Sequence, residues 1–221
     1  MATNPCEPGC ACAVGNEFGA DSAERDLKAY RRDGPDRTTG WLLDGLRGGD
    51  DGSVDGLTVL DIGAGVGVVH LELLASGAAS AVDVDGSPAY VAVARREADR
   101  AGVRGRVTYL TGDFVELAPS LAPADLVALD RVVCCYPDMQ ALVRLSAARA
   151  LRRYGLVYPR DSWWIRAASG AFNGMNRLLR RRFRFHAHRT ADVEATVAAA
   201  GLERVDLRRT LFWQVAVFER T

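Results

Sequence analysis

A buried apolar run that ends in closely spaced glycines constrains the fold of this chain more than any other feature. The run covers Leu57 to Ile62, and Gly63, Gly65 and Gly67 follow directly. An apolar run with little polar alternation is typical of a strand that is buried on both faces. Glycines at its end let the backbone turn sharply and approach a ligand closely. The sequence therefore predicts a central parallel strand that ends in a ligand-binding loop.

Strand and helix patterns alternate from this run to the C-terminus, which predicts parallel strands joined by right-handed helical crossovers. The last two strand patterns are separated by too short a connection for a crossover, so they are expected to be antiparallel neighbours. The predicted fold class is α/β, with a mostly parallel open sheet that ends in an antiparallel hairpin. The further predicted strands are 80–85, 106–111, 126–129, 154–158, 202–208 and 211–219. The first predicted helix follows the glycine loop and ends at 75, and the other helices are 89–101, 139–151 and 190–200.

The chain has 221 residues, which is enough for one well-buried α/β domain. Residues 1–17 combine glycines and prolines with Cys6, Cys10 and Cys12, and we expect a flexible tail there. Residues 18–50 contain two amphipathic patterns and are predicted to form an N-terminal helical lid. The main domain is predicted over 51–221, with 160–190 as an inserted cap on the substrate side.

Composition excludes several function classes. The 28 basic and 28 acidic residues cancel, so the chain has no overall field that would attract nucleic acid, and no such partner is expected. No apolar run is long enough to span a bilayer and the start lacks a secretion signal, which favours a cytoplasmic location. The N-terminal cysteines match no zinc-ligand spacing, and we expect free thiols and no metal.

An aspartate stands at the end of each of the first four predicted strands of the sheet: Asp61, Asp85, Asp113 and Asp130. Each of them alone is equally compatible with a helix cap or a turn. Because parallel strands place their carboxyl ends at one edge of a sheet, the four together predict a shared binding site. Asp83 lies one pleat before Asp85 and is the less favoured ligand.

The glycine spacing separates two kinds of nucleotide. Asp61 enters a G-x-G-x-G loop, where its carboxylate would repel a pyrophosphate and attract an ammonium or sulfonium group. Asp85 is placed to accept both hydroxyls of a ribose, and Asp113 to accept from an exocyclic amine while Phe114 covers a purine. A ligand with adenine, ribose and a cationic amino-acid tail fits this pattern, which describes S-adenosylmethionine.

These residues resemble the class I S-adenosylmethionine-dependent methyltransferases, through the loop at 61–67, the acid Asp85 and the sequence Gly112-Asp113-Phe114. The resemblance runs from Leu57 to the C-terminus and implies a Rossmann-like seven-stranded sheet with one reversed strand. It also implies S-adenosylmethionine as cofactor. The implied cofactor-binding residues are Tyr30, Asp61, Gly63, Ala64, Gly65, Asp85, Gly86, Ser87, Gly112, Asp113, Phe114, Asp130 and Arg131.

Within that family the chain is similar to the magnesium-protoporphyrin O-methyltransferases, in residues 25–30, in 129–137 and in the long segment after Tyr158. Tyr30 matches a tyrosine that lies near the reaction centre in that group, although a simple packing role fits it equally well. The group has His-Tyr-Pro where this chain has Cys135-Tyr136-Pro137. The resemblance implies Tyr30, Asp130 and Tyr136 as catalytic candidates.

The three histidines carry weaker signals. His70 follows the glycine loop and is predicted to have an ordinary role on a helix face. His186 and His188 alternate after an arginine run, so a strand would direct both side chains to one face. A solvated polar segment is the alternative for these two histidines.

Residues 160–190 contain eight arginines against the single acid Asp161, a net charge of +7. Apolar residues recur there at roughly helical spacing, from Trp163 to Leu179. Such a cap is suited to hold a large aromatic acceptor that carries carboxylates, since arginine pairs with carboxylates in a forked geometry. It is equally suited to an anionic membrane surface. The third interpretation is a core-packing helix with a solvated basic end.

The sequence thus predicts a methyltransferase that acts on a small-molecule acceptor, with oxygen favoured over nitrogen or carbon. The cap is suited to an acceptor that is aromatic and anionic. Two alternatives stay open: a magnesium-protoporphyrin-type O-methyltransferase, and a non-catalytic regulator that binds S-adenosylmethionine or S-adenosylhomocysteine. Peripheral membrane contact and any oligomeric state are also left open.

Overall fold

The computed structural model describes residues 18–48, 52–181 and 183–221. The predicted tail with Cys6, Cys10 and Cys12 lies outside these described residues. Seven strands form one sheet: β1 (Thr58–Ile62), β2 (Ser80–Asp85), β3 (Val107–Thr111), β4 (Ala124–Asp130), β5 (Ala150–Pro159), β6 (Leu202–Arg209) and β7 (Trp213–Arg220).

Eight α-helices accompany the sheet within the described part of the chain. They are α1 (Ala20–Asp33), α2 (Arg37–Arg47), α3 (Val68–Ala75), α4 (Pro88–Arg100), α5 (Phe114–Leu117), α6 (Met139–Ala147), α7 (Trp163–Leu178) and α8 (Thr190–Ala198). Short 3₁₀ turns occur at Arg104–Arg106, Ala118–Ser120 and Val133–Cys135.

The strand order is β3-β2-β1-β4-β5-β7-β6, and β7 runs antiparallel to both of its neighbours. The other neighbouring strands pair in parallel. This arrangement confirms the predicted mostly parallel sheet with a reversed C-terminal strand. The order reverses between β1 and β4, and open α/β sheets bind their ligands at such a point, beyond the carboxyl ends of the strands.

Helices cover both faces of the sheet. The apolar side chains of α2, α3 and α4 pack on one face, and those of α6 and α8 pack on the other. Gly155 in β5 makes room for α2, because a Cβ built there would lie 2.4 Å from Cδ1 of Leu42. Of the two helices in the predicted lid, α2 is therefore part of the sheet packing, and α1 with the turn after it lies over the strand ends.

The boundary between α6 and β5 differs from the prediction. The helix ends at Ala147 instead of 151, and β5 begins at Ala150 instead of 154. Ala150 pairs with Ala124, and Arg153 pairs with both Leu126 and Glu219 on the two sides of the strand. Pairing with two neighbours stabilises the extended form of a short apolar stretch whose pattern alone suits a helix or a strand.

Helix α7 also differs from one of its predicted roles. Ile165 is fully buried, but Trp163, Met175 and Leu178 are more than half exposed. The interpretation of 160–190 as a core-packing helix therefore holds for Ile165 and not for these large apolar residues. Among the described residues, no helix is both long and apolar enough to cross a bilayer.

Candidate functional site

A cavity of about 520 Å³ lies at the carboxyl ends of β1, β2 and β4. This volume is in the usual range of small-ligand sites. Helix α1 and the turn after it form its roof. Every predicted site residue except Ser87 lines the cavity: Tyr30, Asp61, Gly63, Ala64, Gly65, Asp85, Gly86, Gly112, Asp113, Phe114, Asp130, Arg131 and Tyr136.

The glycine loop between β1 and α3 can be built only from glycine at its key positions. Gly63, Gly65 and Gly67 have φ values of +63°, +58° and +88°. A Cβ at Gly63 would lie 2.5 Å from Cγ2 of Val132, and one at Gly67 would lie 2.6 Å from Cε1 of His70. The loop therefore combines left-handed backbone with close packing on two sides, and both conditions exclude larger residues.

His70 makes two contacts with the carboxylate of Asp61. The backbone N–H of His70 donates to Oδ2 of Asp61 at 3.2 Å, and Nδ1 of the ring lies 2.9 Å from the same oxygen. Both side chains are buried. The predicted helix-face role of His70 is therefore wrong, because the first turn of α3 points its ring inward under the glycine loop. Its Nε2 has no hydrogen-bond partner among the described residues.

Asp85 closes the second side of the loop. Its Oδ2 accepts from the backbone N–H of Gly65 at 2.9 Å, and its Oδ1 accepts from that of Ser87 at 2.7 Å. Burial raises the pKa of Asp85, and these two N–H donors oppose that rise. The carboxylate is thus fixed between the loop and the start of α4, at the edge of the cavity.

Ser87 is not brought to the cavity. Its hydroxyl donates to the carbonyl of Phe18 at 2.7 Å and accepts from the backbone N–H of Tyr90 as the N-cap of α4. It joins the strand edge to the segment before α1. Tyr90 and Phe18, which no sequence pattern singled out, line the cavity instead.

Asp83 lies behind the cavity, paired in register with Asp61 on one side and Tyr109 on the other. It is fully buried, and neither carboxyl oxygen has a hydrogen-bond partner among the described residues. Burial and the nearby carboxylates of Asp61 and Asp85 raise the pKa of Asp83 to about 9. Asp83 is therefore protonated at neutral pH.

Asp113 is shared between a helix cap and a phenol. Its Oδ1 accepts from the backbone N–H of Val115 at 2.9 Å and so caps α5. The hydroxyl of Tyr136 lies 2.9 and 3.1 Å from the two carboxyl oxygens of Asp113. Phe114 is buried and lines the same end of the cavity. The predicted catalytic candidate Tyr136 is thus in direct contact with a predicted cofactor-binding residue.

Asp130 connects the sheet to α2. Its Oδ2 accepts from the hydroxyl of Thr39 at 2.5 Å, whereas the buried Oδ1 has no hydrogen-bond partner among the described residues. Nε of Arg131 lies 3.6 Å from that oxygen. Burial raises the pKa of Asp130, although the Arg131 charge opposes it.

Arg131 ties the loop after β4 to the roof. It adopts a left-handed backbone with φ of 61° and forms an ion pair with Asp36, the N-cap of α2. Its guanidinium also lies 5.6 Å from the ring centroid of Trp213. The turn between α1 and α2 is therefore fastened to the rim of the cavity.

Tyr30 lines the cavity from α1, and its hydroxyl donates to Oε1 of Glu72 at 2.9 Å. Burial raises the pKa of Tyr30, and the bond to Glu72 raises it further. The phenol is therefore neutral at physiological pH. It presents its ring to the cavity and its hydroxyl to α3.

The two remaining histidines reach the loop after β4 from the cap segment. The backbone N–H of His186 donates to the carbonyl of Cys134 at 2.7 Å, and the ring Nε2 of His188 donates to the carbonyl of Tyr136 at 3.0 Å. No strand forms here; the segment is irregular and the two rings stack with centroids 5.5 Å apart. The strand that would direct both side chains to one face is therefore not formed, and the histidines contact the backbone next to Cys135 without lining the cavity.

Other ligand classes receive little support from the described residues. These contain no group of three or more His, Cys, Asp or Glu side chains that could hold a metal ion. The fold and the cavity define a Rossmann-like α/β protein whose ligand site is ringed by carboxylates at successive strand ends.

Comparison with known proteins identifies the family. Residues 59–155 match the methyltransferase domain family. Over 173 residues the chain is 31% identical to the ubiquinone biosynthesis O-methyltransferase of Azorhizobium caulinodans, covering 73% of this chain and 67% of that protein. Over 120 residues it is 33% identical to the ribosomal protein L11 methyltransferase of Edwardsiella ictaluri, covering 51% of this chain but 40% of that protein.

Solved structures share the fold. The magnesium protoporphyrin IX methyltransferase of Synechocystis, solved with bound SAH, matches with a TM-score of 0.75 and 21% identity, covering 96% of this chain and all of that one. An O-methyltransferase family 2 protein of Planctomyces limnophilus, in complex with apigenin, matches with a TM-score of 0.66 and 20% identity. The match covers 91% of this chain and 62% of that one.

The chain belongs to the class I S-adenosylmethionine-dependent methyltransferases. It is an enzyme of that family, and its cofactor is S-adenosylmethionine.

Proposed function

We propose that this enzyme transfers the methyl group of S-adenosylmethionine to an oxygen of a small-molecule acceptor. The observation that carries the proposal is the convergence of Asp61, Asp85, Asp113 and Asp130 on one cavity beside a glycine loop. Among the described residues that line this cavity, Arg131 is the only one with a basic side chain. An electronegative pocket of this kind suits a cationic sulfonium and disfavours a pyrophosphate.

The side chains present fit that cofactor. Asp61, oriented by His70, and the backbone of Gly63, Ala64 and Gly65 would hold the methionine part. Asp85 with Gly86 would accept the ribose hydroxyls. Gly112, Asp113 and Phe114 would take the adenine, with Tyr136 orienting the carboxylate of Asp113. Ser87 would not contact the cofactor and would instead position the start of α4 as its N-cap.

The cofactor supplies an already activated methyl group, so the protein mainly aligns the reactants and excludes water. Tyr30 contributes the ring that covers the cavity from α1. Asp130 is the candidate for the acid–base part of the reaction. Asp130 lines the cavity, and its carboxylate would accept the proton of the acceptor hydroxyl as the new bond forms.

A hydroxyl acceptor is supported by the relatives. The Azorhizobium protein, of which the chain covers 67%, is an O-methyltransferase of ubiquinone biosynthesis. The cavity walls include apolar side chains from several elements, such as Phe18, Ile62 and Leu142, which suit an aromatic acceptor. None of the described arginines of residues 160–190 lines the cavity, so Arg131 is the group there that could pair with a carboxylate of the acceptor.

A magnesium-protoporphyrin-type acceptor is the second candidate. The fold shared with the Synechocystis enzyme over 96% of this chain favours it. Cys135 argues against assigning that activity to this chain, because it stands at the position where that group has a histidine. The nearby His186 and His188 contact the carbonyls of Cys134 and Tyr136 and do not replace the missing imidazole in the cavity.

Three measurements test the proposal. Titration calorimetry of the full chain with S-adenosylhomocysteine should give a binding isotherm, and no binding at high micromolar ligand would contradict the cofactor site. Methyl transfer from labelled S-adenosylmethionine should then occur to a phenol and not to the matching aniline or thiophenol. A Soret shift on titration with magnesium protoporphyrin, followed by its methylation, would instead favour the second candidate, and cofactor binding without transfer to any acceptor would favour the regulator.

A further inference from the structure

Helix α7 is oriented with its polar side toward the protein. Ser169 and Asn176 are buried with Ile165 on the inner side of the helix. Nδ2 of Asn173 donates to the carbonyl of Phe185 at 2.7 Å, and Oδ1 of Asn173 accepts from the N–H of Phe185 at 2.8 Å. Hydrogen bonds to the returning chain, more than apolar packing, therefore hold this helix in place.

The opposite side of α7 is apolar and exposed. At 100° per residue, Trp163, Phe172, Met175 and Leu178 fall within one half of the helix circumference, and Leu179 follows as the C-cap. Trp164 lies in the same half but is only partly exposed and contacts Phe212. The exposed fractions are 80% for Trp163, 46% for Phe172, 54% for Met175, 76% for Leu178 and 55% for Leu179. We call these five residues the outer face. Natural helices normally bury such a face, so its exposure indicates an interaction surface.

A dense positive charge adjoins the outer face. Residues 160–190 carry eight arginines against one aspartate; Arg177 lies between Met175 and Leu178, and Arg180 and Arg181 follow Leu179 directly. All three are exposed, and none of them takes part in a salt bridge among the described residues. These charges are available to a partner.

We propose that the outer face of α7 docks on an anionic lipid bilayer, with its apolar residues at the level of the headgroups and its arginines on lipid phosphates. An amphipathic helix with Trp and Leu on one side and flanking arginines is the form that interfacial helices take. Charge argues against a symmetric dimer through this face, because it would place two +7 segments against each other.

The position of the face relative to the cavity fits this docking. Helix α7 follows the carboxyl end of β5, on the rim where the cavity lies. Phe172 contacts Phe183 with ring centroids 6.3 Å apart, and Phe183 contacts Phe18 at 6.0 Å. Phe18 lines the cavity. Aromatic contacts therefore lead from the docking face to the site, although the docking itself does not depend on which acceptor is methylated.

Vesicle flotation of the full chain, without cofactor or acceptor, tests the proposal. The probe is a vesicle of phosphatidylcholine alone or of equal parts phosphatidylcholine and phosphatidylglycerol. We expect binding to the anionic vesicles only, with affinity that falls as salt is added. Equal recovery with both vesicle types, or with neither, would overturn the proposal.

Two variants locate the contact. Arg180→Gln with Arg181→Gln should weaken binding to anionic vesicles by about fivefold per arginine, about 25-fold together. Trp163→Ser with Leu178→Ser should weaken it by about 100-fold, because two apolar anchors are lost. The matched controls are Leu151→Ser and the pair Arg144→Gln with Arg152→Gln, which lie toward the amino end of β5, and they should bind like the unmodified chain.

Each variant is also tested for its thermal unfolding midpoint and for S-adenosylhomocysteine binding. Since the replaced side chains are exposed, both should be unchanged, which separates lost docking from lost folding or lost cofactor affinity. If the arginine pair and the apolar pair bind vesicles like the controls, the proposal is wrong. Sedimentation without lipid provides the other decisive result: a dimer that Trp163→Ser with Leu178→Ser converts to a monomer would assign the outer face to a second copy of the chain.

Discussion

His70 contacts one oxygen of Asp61 twice, through its backbone N–H at 3.2 Å and its ring Nδ1 at 2.9 Å. The two residues lie on either side of the glycine loop, and both are buried. Because a carboxylate only accepts hydrogen bonds, Nδ1 carries the hydrogen, and the orientation of Asp61 toward the cavity is fixed by the helix that begins after the loop.

Replacing His70 should therefore affect one end of the cofactor more than the other. We expect His70→Leu to weaken S-adenosylhomocysteine binding by about 1 kcal/mol or more, since Asp61 loses a charge-assisted hydrogen bond. Binding of 5′-methylthioadenosine, which lacks the amino-acid tail, should be unchanged in calorimetry. Leu74→Ala, in the buried part of the same helix, is the control for a general loss of stability. An equal loss for both ligands would contradict the assigned role of Asp61.

The ribose assignment is tested at Asp85. Asp85→Ala removes the acceptor that fixes the N–H groups of Gly65 and Ser87, and it should weaken S-adenosylhomocysteine binding by about 1 to 3 kcal/mol. Asp99→Ala, at an exposed position on α4, should leave the calorimetric affinity unchanged. If both variants bind alike, Asp85 does not hold the ribose.

Asp83 predicts a pH dependence of stability. Its pKa is raised to about 9 in the folded protein against an ordinary value of 3.8, so the folded state keeps a proton that the unfolded state releases between these two values. Its stabilising contribution is complete below about pH 4 and is lost progressively as the pH rises toward 9, at most about 1.4 kcal/mol per pH unit.

Asp83→Asn removes this titration and keeps the shape of the protonated acid. We expect the variant to be more stable than the unmodified chain at pH 8, with a smaller difference at pH 5, as measured by urea unfolding at both values. Asp99→Asn serves as the exposed control. A stability gain that does not grow with pH would show that Asp83 is ionised in the folded protein.

Tyr136→Phe distinguishes a positioning role from a catalytic one. The variant removes the hydroxyl that contacts both oxygens of Asp113, and we expect cofactor KM to rise by about fivefold, equivalent to about 1 kcal/mol. At saturating cofactor, kcat should stay the same. Tyr109→Phe, whose hydroxyl lies outside the cavity, is the control. A fall in kcat with unchanged KM would instead place Tyr136 in the chemical step.

Much of the fold and site follows from local sequence. Apolar runs, glycines and strand-end aspartates are short-range signals. They were enough to predict the sheet and to predict that Asp61, Asp85, Asp113 and Asp130 share one cavity. The contacts of Ser87, His70 and His188 depend on segments that meet only in the folded chain. The outward orientation of α7 was equally hidden, because its pattern shows that one side is apolar but not which side faces the protein.

Helix α1 covers the site while burying little apolar surface, chiefly Ala23 and Leu27. It is fastened to the body by polar contacts: Asp26 accepts from Tyr90 at 2.5 Å, Glu24 pairs with Arg96 at 2.5 Å, and Arg31 pairs with Glu97. We expect these contacts to break when the demethylated cofactor leaves. Salt screens partly exposed ion pairs. Higher ionic strength should therefore increase the rate at which the product cofactor is released between turnovers.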